Sequence, residues 1–100
     1  MAYAQTTILV ATTGADYSAS FDVADKPVTL RLFATDGRIS FGVQCPVLVE
    51  KAGTWGPAQD ENGPVFLSAE RAEVSFFAPG RFKAYKPATP EAMGFVKDTA

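Results

Sequence analysis

Apolar and polar residues alternate along most of this chain with the two-residue period of half-buried strands. Turn residues cut the alternation into short runs, so each turn can be tested as a hairpin. Cross-strand partners in an antiparallel pair share a face, and a real hairpin matches apolar with apolar. Asp36-Gly37 suits the positive φ angles of a two-residue turn. Centred there, Ala34 pairs with Ile39, Leu32 with Phe41, Leu30 with Val43 and Val28 with Cys45, all apolar. The other face pairs Thr35 with Arg38, Phe33 with Ser40, Arg31 with Gly42 and Thr29 with Gln44. Gly14-Ala15 predicts a second hairpin, with Thr12 on Tyr17, Val10 on Ala19 and Ile8 on Phe21. Glu70-Arg71 predicts a third, with Ala69 on Ala72, Leu67 on Val74 and Val65 on Phe76. Glu and Arg are poor residues for so tight a turn, which leaves room for a longer one.

The remaining segments are less regular. Ala78-Pro79-Gly80-Arg81 is a corner that fits either a two-residue loop, setting Phe77 against Phe82, or a loop with one extra residue and a bulge. Pro46 reads as the end of a strand or a kink at an edge. Lys51 to Gly63 holds three glycines, one proline and the only tryptophan, and reads as a long, partly ordered loop. Thr89-Pro90-Glu91 resembles a helix start, and Gly94 limits any helix to about two turns. The alternative there is an extended arm. The pattern predicts a β-domain over residues 1–86 and a C-terminal arm or short helix over 87–100. About eight short strands with regular turns imply an all-β fold, an antiparallel β-sandwich or small jelly-roll-like barrel.

Composition narrows the function more than the fold. A length of 100 residues suits one domain, and 47% apolar content argues against disorder. The charge of −2, from 9 basic and 11 acidic residues, does not suit a polyanion-binding surface. A single cysteine allows no intrachain disulfide. The N-terminus has no basic residue ahead of its apolar run, so no secretion signal is expected. No apolar run approaches the roughly 20 residues of a membrane-spanning helix. The chain reads as a complete product of a cytoplasm.

Candidate chemistry is sparse. The chain has no histidine, which removes Ser-His-Asp and Cys-His arrangements and the commonest metal ligand. Cys45 falls on the apolar face and reads as a small buried hydrophobe. Asp22 with Asp25, Asp60 with Glu61, and Glu70 with Glu73 are acid pairs at turns and strand ends, where solvation is the ordinary state. Asp60-Glu61-Asn62-Gly63 lacks the alternating ligand spacing of a calcium loop. Arg81, Lys83 and Tyr85 share one side of a strand, with Lys86 following. That is a short basic-aromatic stripe, either weakly nucleic-acid-like or a charge-protected edge. Trp55 is either a loop anchor or a sugar-stacking platform. Phe33, Phe66 and Phe77 all fall on faces assigned to solvent, which suggests a second sheet or a subunit interface. The expectation is a protein without catalytic, cofactor-binding or metal-binding residues. Its interface residues would be Phe33, Trp55, Phe66, Phe77, Arg81 and Tyr85.

Gly53-Thr54-Trp55, then Gly63-Pro64-Val65-Phe66-Leu67-Ser68-Ala69, then Phe77-Ala78-Pro79-Gly80-Arg81-Phe82 give the chain a resemblance to small virion proteins of tailed bacteriophages. These are the head decoration, cement and head-fibre β-domains. The resemblance spans about a third of the chain and is one of β-rich pattern rather than of a diagnostic motif. It implies a non-enzymatic structural protein on a capsid or tail surface, assembled in a host cytoplasm. It also implies other virion subunits as partners and a homo-oligomer, commonly a trimer. A carbohydrate-binding module using Trp55 is the alternative. A further one is a protein-binding adaptor or inhibitor that offers the loop from Lys51 to Gly63 to a partner. Neither membrane nor nucleic acid is an expected partner.

Overall fold

A computed structural model describes residues 4–35, 37–39, 42–60 and 63–99. Twelve antiparallel strand segments and no helix are found among them: β1 (Ala4–Thr12), β2 (Asp16–Tyr17), β3 (Phe21–Val23), β4 (Val28–Ala34), β5 (Cys45–Lys51), β6 (Thr54–Pro57), β7 (Gln59–Asp60), β8 (Gly63–Pro64), β9 (Phe66–Leu67), β10 (Glu73–Phe76), β11 (Gly80–Lys86) and β12 (Met93–Thr99). One sheet runs β1-β12-β4-β10. The other runs β2-β11-β5-β6, with β3 also on β11 and β9 also on β5. The two sheets close on one core as an antiparallel β-sandwich.

Inward residues alternate along the strands, as the pattern predicts for β4. Val28, Leu30 and Leu32 of β4, Met93 and Phe95 of β12, and Val74 of β10 face Cys45, Val47, Leu67, Phe82 and Ala84 of the second sheet. Each buried Leu, Phe or Met here is worth roughly 1.5–3 kcal/mol against its exposed state. Phe21, Phe76 and Phe82 form a three-ring cluster that ties β3, β10 and β11 together. Phe76 and Phe82 stack at 4.5 Å, and Phe21 lies 5.9 and 6.2 Å from Phe82 and Phe76.

The connectivity differs from the hairpins that the turns suggested. Gly37 does sit in a turn, with its N–H donating to Ala34 O at 3.0 Å and φ at 80°. The chain does not return beside β4, because β12 takes one edge of β4 and β10 the other. It crosses instead to the second sheet, where β5 pairs with β11 and β6. Ser40 and Phe41 lie outside the described residues. The third turn is centred on Ala69-Glu70, one residue earlier than expected, with Ser68 and Arg71 exchanging backbone bonds of 2.9 and 3.2 Å. The strands beyond it part at once, β9 to β5 and β10 to β4. Residues 77–79 likewise join β10 in one sheet to β11 in the other, so neither loop drawn for that corner forms. The second hairpin reduces to one backbone bond, from Ala19 N–H to Ile8 O at 2.8 Å, and β2 pairs with β11.

Two stretches taken as irregular are strands. Lys51 to Gly63 opens with a tight hairpin in which Lys51 pairs with Thr54, and Ala52 and Gly53 take φ of 52° and 80°. That is the positive-φ pair a type I′ turn requires. The short β7–β8 ribbon then projects from the edge of β5, its base closed by Val65 N–H on Ala58 O at 2.9 Å. Pro46 neither ends nor breaks its strand. It sits second in β5, beyond the β11 ladder, which covers Val47 to Val49.

The C-terminal stretch, expected as an arm or short helix, supplies β12. This strand lies between β1 and β4 and pairs with β4 from Met93 to Thr99. Thr89 starts no helix. Its hydroxyl donates to Glu91 O at 2.7 Å, and its N–H donates to Thr13 O at 2.9 Å. At Gly94 the backbone of β1 bulges over β12. A Cβ there would collide with the Leu9 carbonyl oxygen and lie 3.0 Å from both Ala11 N and the Phe33 ring. The same bulge brings both Ile8 and Leu9 to the core side and turns Val10, expected inside, out to 75% exposure.

Gly94→Ala is therefore expected to lower stability by roughly 2–4 kcal/mol, since backbone must move to admit one methyl. Gly56→Ala, where a Cβ meets nothing within 4 Å, should be near neutral. Chemical denaturation of the two variants checks the contrast.

Candidate protein-binding face

The outer faces of the two sheets differ in kind. On the first sheet, Arg31 is held by Glu73 and Asp98, each at 3.0 Å. Thr29 and Ser75 hydroxyls meet at 2.8 Å. Gln5 and Thr7 continue this polar surface on β1. It is the ordinary solvated back of a sandwich.

The second sheet turns aromatic and apolar residues outward. Register places Tyr17 beside Tyr85, Lys83 beside Leu48, Leu48 beside Pro57, Glu50 beside Trp55, and Pro46 beside Phe66. All lie on the face opposite the buried Cys45, Val47, Phe82 and Ala84. Tyr17 and Tyr85 rings lie 4.9 Å apart. The Lys83 ammonium sits 4.5 Å from the Tyr17 ring centroid and 4.4 Å from that of Trp55, bridging the two. Each cation–π contact is worth about 0.5–1 kcal/mol at an exposed site. Together they hold three long side chains in one arrangement. Tyr17 is 51% exposed and Phe66 37%.

Of the predicted interface residues, Trp55, Phe66, Arg81 and Tyr85 come together on this face. Arg81 is at its margin, paired with Asp22 at 3.3 Å. Phe33 does not join them. It lies on the outer face of the first sheet, over Gly94. Phe77, 73% exposed, sits at the corner between the sheets, on the lip of a cleft described below. Tyr17, Pro46, Leu48 and Pro57 were missed. For Leu48 and Pro57 the signal was the β5–β6 hairpin, whose register makes Leu48, Glu50, Trp55 and Pro57 one surface.

The basic stripe is spent on internal contacts. Arg81 has its acid, Lys83 its two rings, and Lys86 faces the core. Lys86 is fully enclosed, and its Nζ donates to Gly14 O and Pro87 O, both at 2.8 Å. That fastens the 13–15 loop to the end of β11. Burial lowers the Lys86 pKa, against the pull of Cys45 and Asp16. The acids of the first and third pairs show no such enclosure. Asp22 and Glu73 are in surface ion pairs, and Glu70 is exposed. Glu61 and Asn62 lie outside the described residues. No group of three or more His, Cys, Asp or Glu that could hold a metal ion occurs among the described residues.

Cys45 is fully buried. Burial pushes its thiol up to about 11, with Lys86 opposing. No protein-family model, no curated protein and no solved structure matches this chain.

Two outcomes follow. Lys83→Ala should free the indole, shifting the emission of the sole tryptophan to the red and lowering stability by about 1–2 kcal/mol; Lys83→Arg should preserve the emission. The thiol of Cys45 binds its proton more tightly folded than unfolded. Its contribution is complete below the unfolded value and is lost as pH rises through about 11. Between pH 9 and 11 the wild type should thus lose roughly 2 kcal/mol relative to Cys45→Ala in paired denaturation curves.

Proposed function

We propose that this chain is a non-enzymatic structural protein that docks on other protein subunits through the outer face of its second sheet. The observation that carries the reading is the aromatic cluster of Tyr17, Trp55 and Tyr85, braced by Lys83 and continued by Leu48, Pro46 and Phe66. Aromatic residues with few charges among them are the composition of a buried interface core. Their positions are fixed in advance, so docking loses little side-chain entropy. The polar first sheet supplies the contrast, since a monomer without a partner face would be expected to solvate both backs alike.

The partner is a coat or tail subunit of a phage particle, as the resemblance of the 53–82 stretch to decoration and fibre domains implies. A particle surface suits a small sandwich that offers one flat aromatic face. Trp55 serves this face as one element among several. Its indole is half-buried with an ammonium over the ring, which favours an interface role over sugar stacking.

The test is co-sedimentation of the tagged chain with particles assembled in the host of the phage that encodes it. The wild type is expected to travel with the particles. Tyr85→Ser combined with Phe66→Ser should reduce the bound fraction at least tenfold, since central aromatic anchors each carry about 2 kcal/mol or more. The thermal midpoint should change little. A wild-type chain that stays monomeric and unbound would reject the proposal.

A further inference from the structure

β10 and β6 are outer strands on the same side of the sandwich, and they do not meet. Between them runs an apolar cleft of about 790 Å³. Val49, Phe76 and Phe82 line it, and Phe77 stands at its lip. Gly56 of β6 lines it as well, and a Cβ built there meets nothing within 4 Å. The core is thus left open along this side.

The edge beside the cleft is ready to pair. Leu32 N–H donates to Ala72 O at 2.7 Å, so Ala72 bonds toward β4. In an antiparallel ladder the bonded pairs alternate. With Val74 opposite Leu30 and Phe76 opposite Val28, those two also bond toward β4. The N–H and C=O groups of Glu73 and Ser75 therefore point the other way, where β10 has no neighbour among the described residues. Sheet edges are commonly blunted by shortness, charge, proline or bulges. β10 is short and carries Glu73, but that carboxylate is drawn back to Arg31 of β4 and the strand has no proline, whereas β6 ends in Pro57.

We propose that an extended segment of a partner protein adds to β10 as a further strand of the first sheet. Bonded to Ser75, such a strand directs alternate side chains into the cleft, over Phe76, Phe82 and Val49. These must be apolar. Lys51 is the one charged side chain lining the cleft among the described residues, and no described residue is ion-paired with it. The segment therefore carries a carboxylate at that end. Main-chain bonds supply affinity, and the cleft supplies selectivity. The aromatic docking face lies on the opposite side of β5 and β6, so either proposal can fail without the other.

A fluorescein-labelled peptide of about eight alternating Val and Thr residues ending in Glu is a suitable probe, read by anisotropy. Saturable binding to the wild type is expected. Ser75→Pro removes an edge donor that β4 does not use, and Gly56→Leu fills the cleft at an unstrained position. Each should weaken binding at least tenfold while thermal unfolding stays within a few degrees of wild type. Lys51→Glu should reverse the preference toward a peptide ending in Lys. The proposal is overturned if the peptide fails to bind, or binds equally well to the Ser75→Pro and Gly56→Leu proteins. It is also overturned if decanoate binds where the peptide does not, or if the cleft proves to be filled by a second copy in a dimer that Ser75→Pro dissolves.

Discussion

The place of β12 between β1 and β4 decides the rest of the architecture. A strand has two edges, and once β12 and β10 hold those of β4, no segment following the turn at Gly37 can return beside it. The chain must cross the core, and β5 begins the second sheet. Close packing makes this placement specific. Gly94 lets the bulged backbone of β1 approach, while the Phe33 ring covers the glycine from outside. An aromatic laid over a strand glycine restores the packing that the missing side chain would have supplied. This also gives Phe33 a structural role, which accounts for an aromatic ring on the outer face of the first sheet.

The all-β sandwich and the inward residues of β4, Val28, Leu30 and Leu32, were legible in the period-two pattern, whereas Met93 and Phe95 of β12 were not. The connectivity was not, and the reason is geometric. In a hairpin, the residues flanking a turn share one face of one sheet. In an arch that crosses between sheets, the same residues face each other through the core. Both match apolar with apolar, so the pairing of Leu32 or Leu67 with its supposed partner could not tell them apart. Turn chemistry shares the limit, because Gly37 records a reversal of the backbone without recording which strand lies alongside afterwards. β12 was hidden for a different reason. Thr89, Pro90 and Gly94 imitate the start and stop of a helix, whereas Gly94 is there for close approach within a sheet.

The candidate face was partly legible for a related reason. Phe66 stood out as surplus to one core, Trp55 as a loop aromatic, and Arg81 and Tyr85 as part of a basic-aromatic stripe, yet only strand register could assemble them. Ala52-Gly53 set that register for β6 and made a surface of Leu48, Trp55 and Pro57. Tyr17 was assigned inward by a hairpin that the structure replaces with pairing to β11. Four of the cations have partners within the fold: Arg31 and Arg81 pair with acids, Lys83 lies over two π faces and Lys86 donates to backbone carbonyls. The second sheet can thus present aromatic rings with few unsatisfied charges around them.

The central claim is that the aromatic back of the second sheet, and not the polar back of the first, meets a partner. Hydroxyl-radical footprinting of the chain, free and mixed with the phage particles proposed as its partner, tests this at residue resolution. The account predicts protection concentrated on Tyr17, Trp55, Phe66 and Tyr85, with Phe33 and Val10 modified at unchanged rates. Protection centred on Phe33 and Val10, with the tyrosines still reactive, would contradict it.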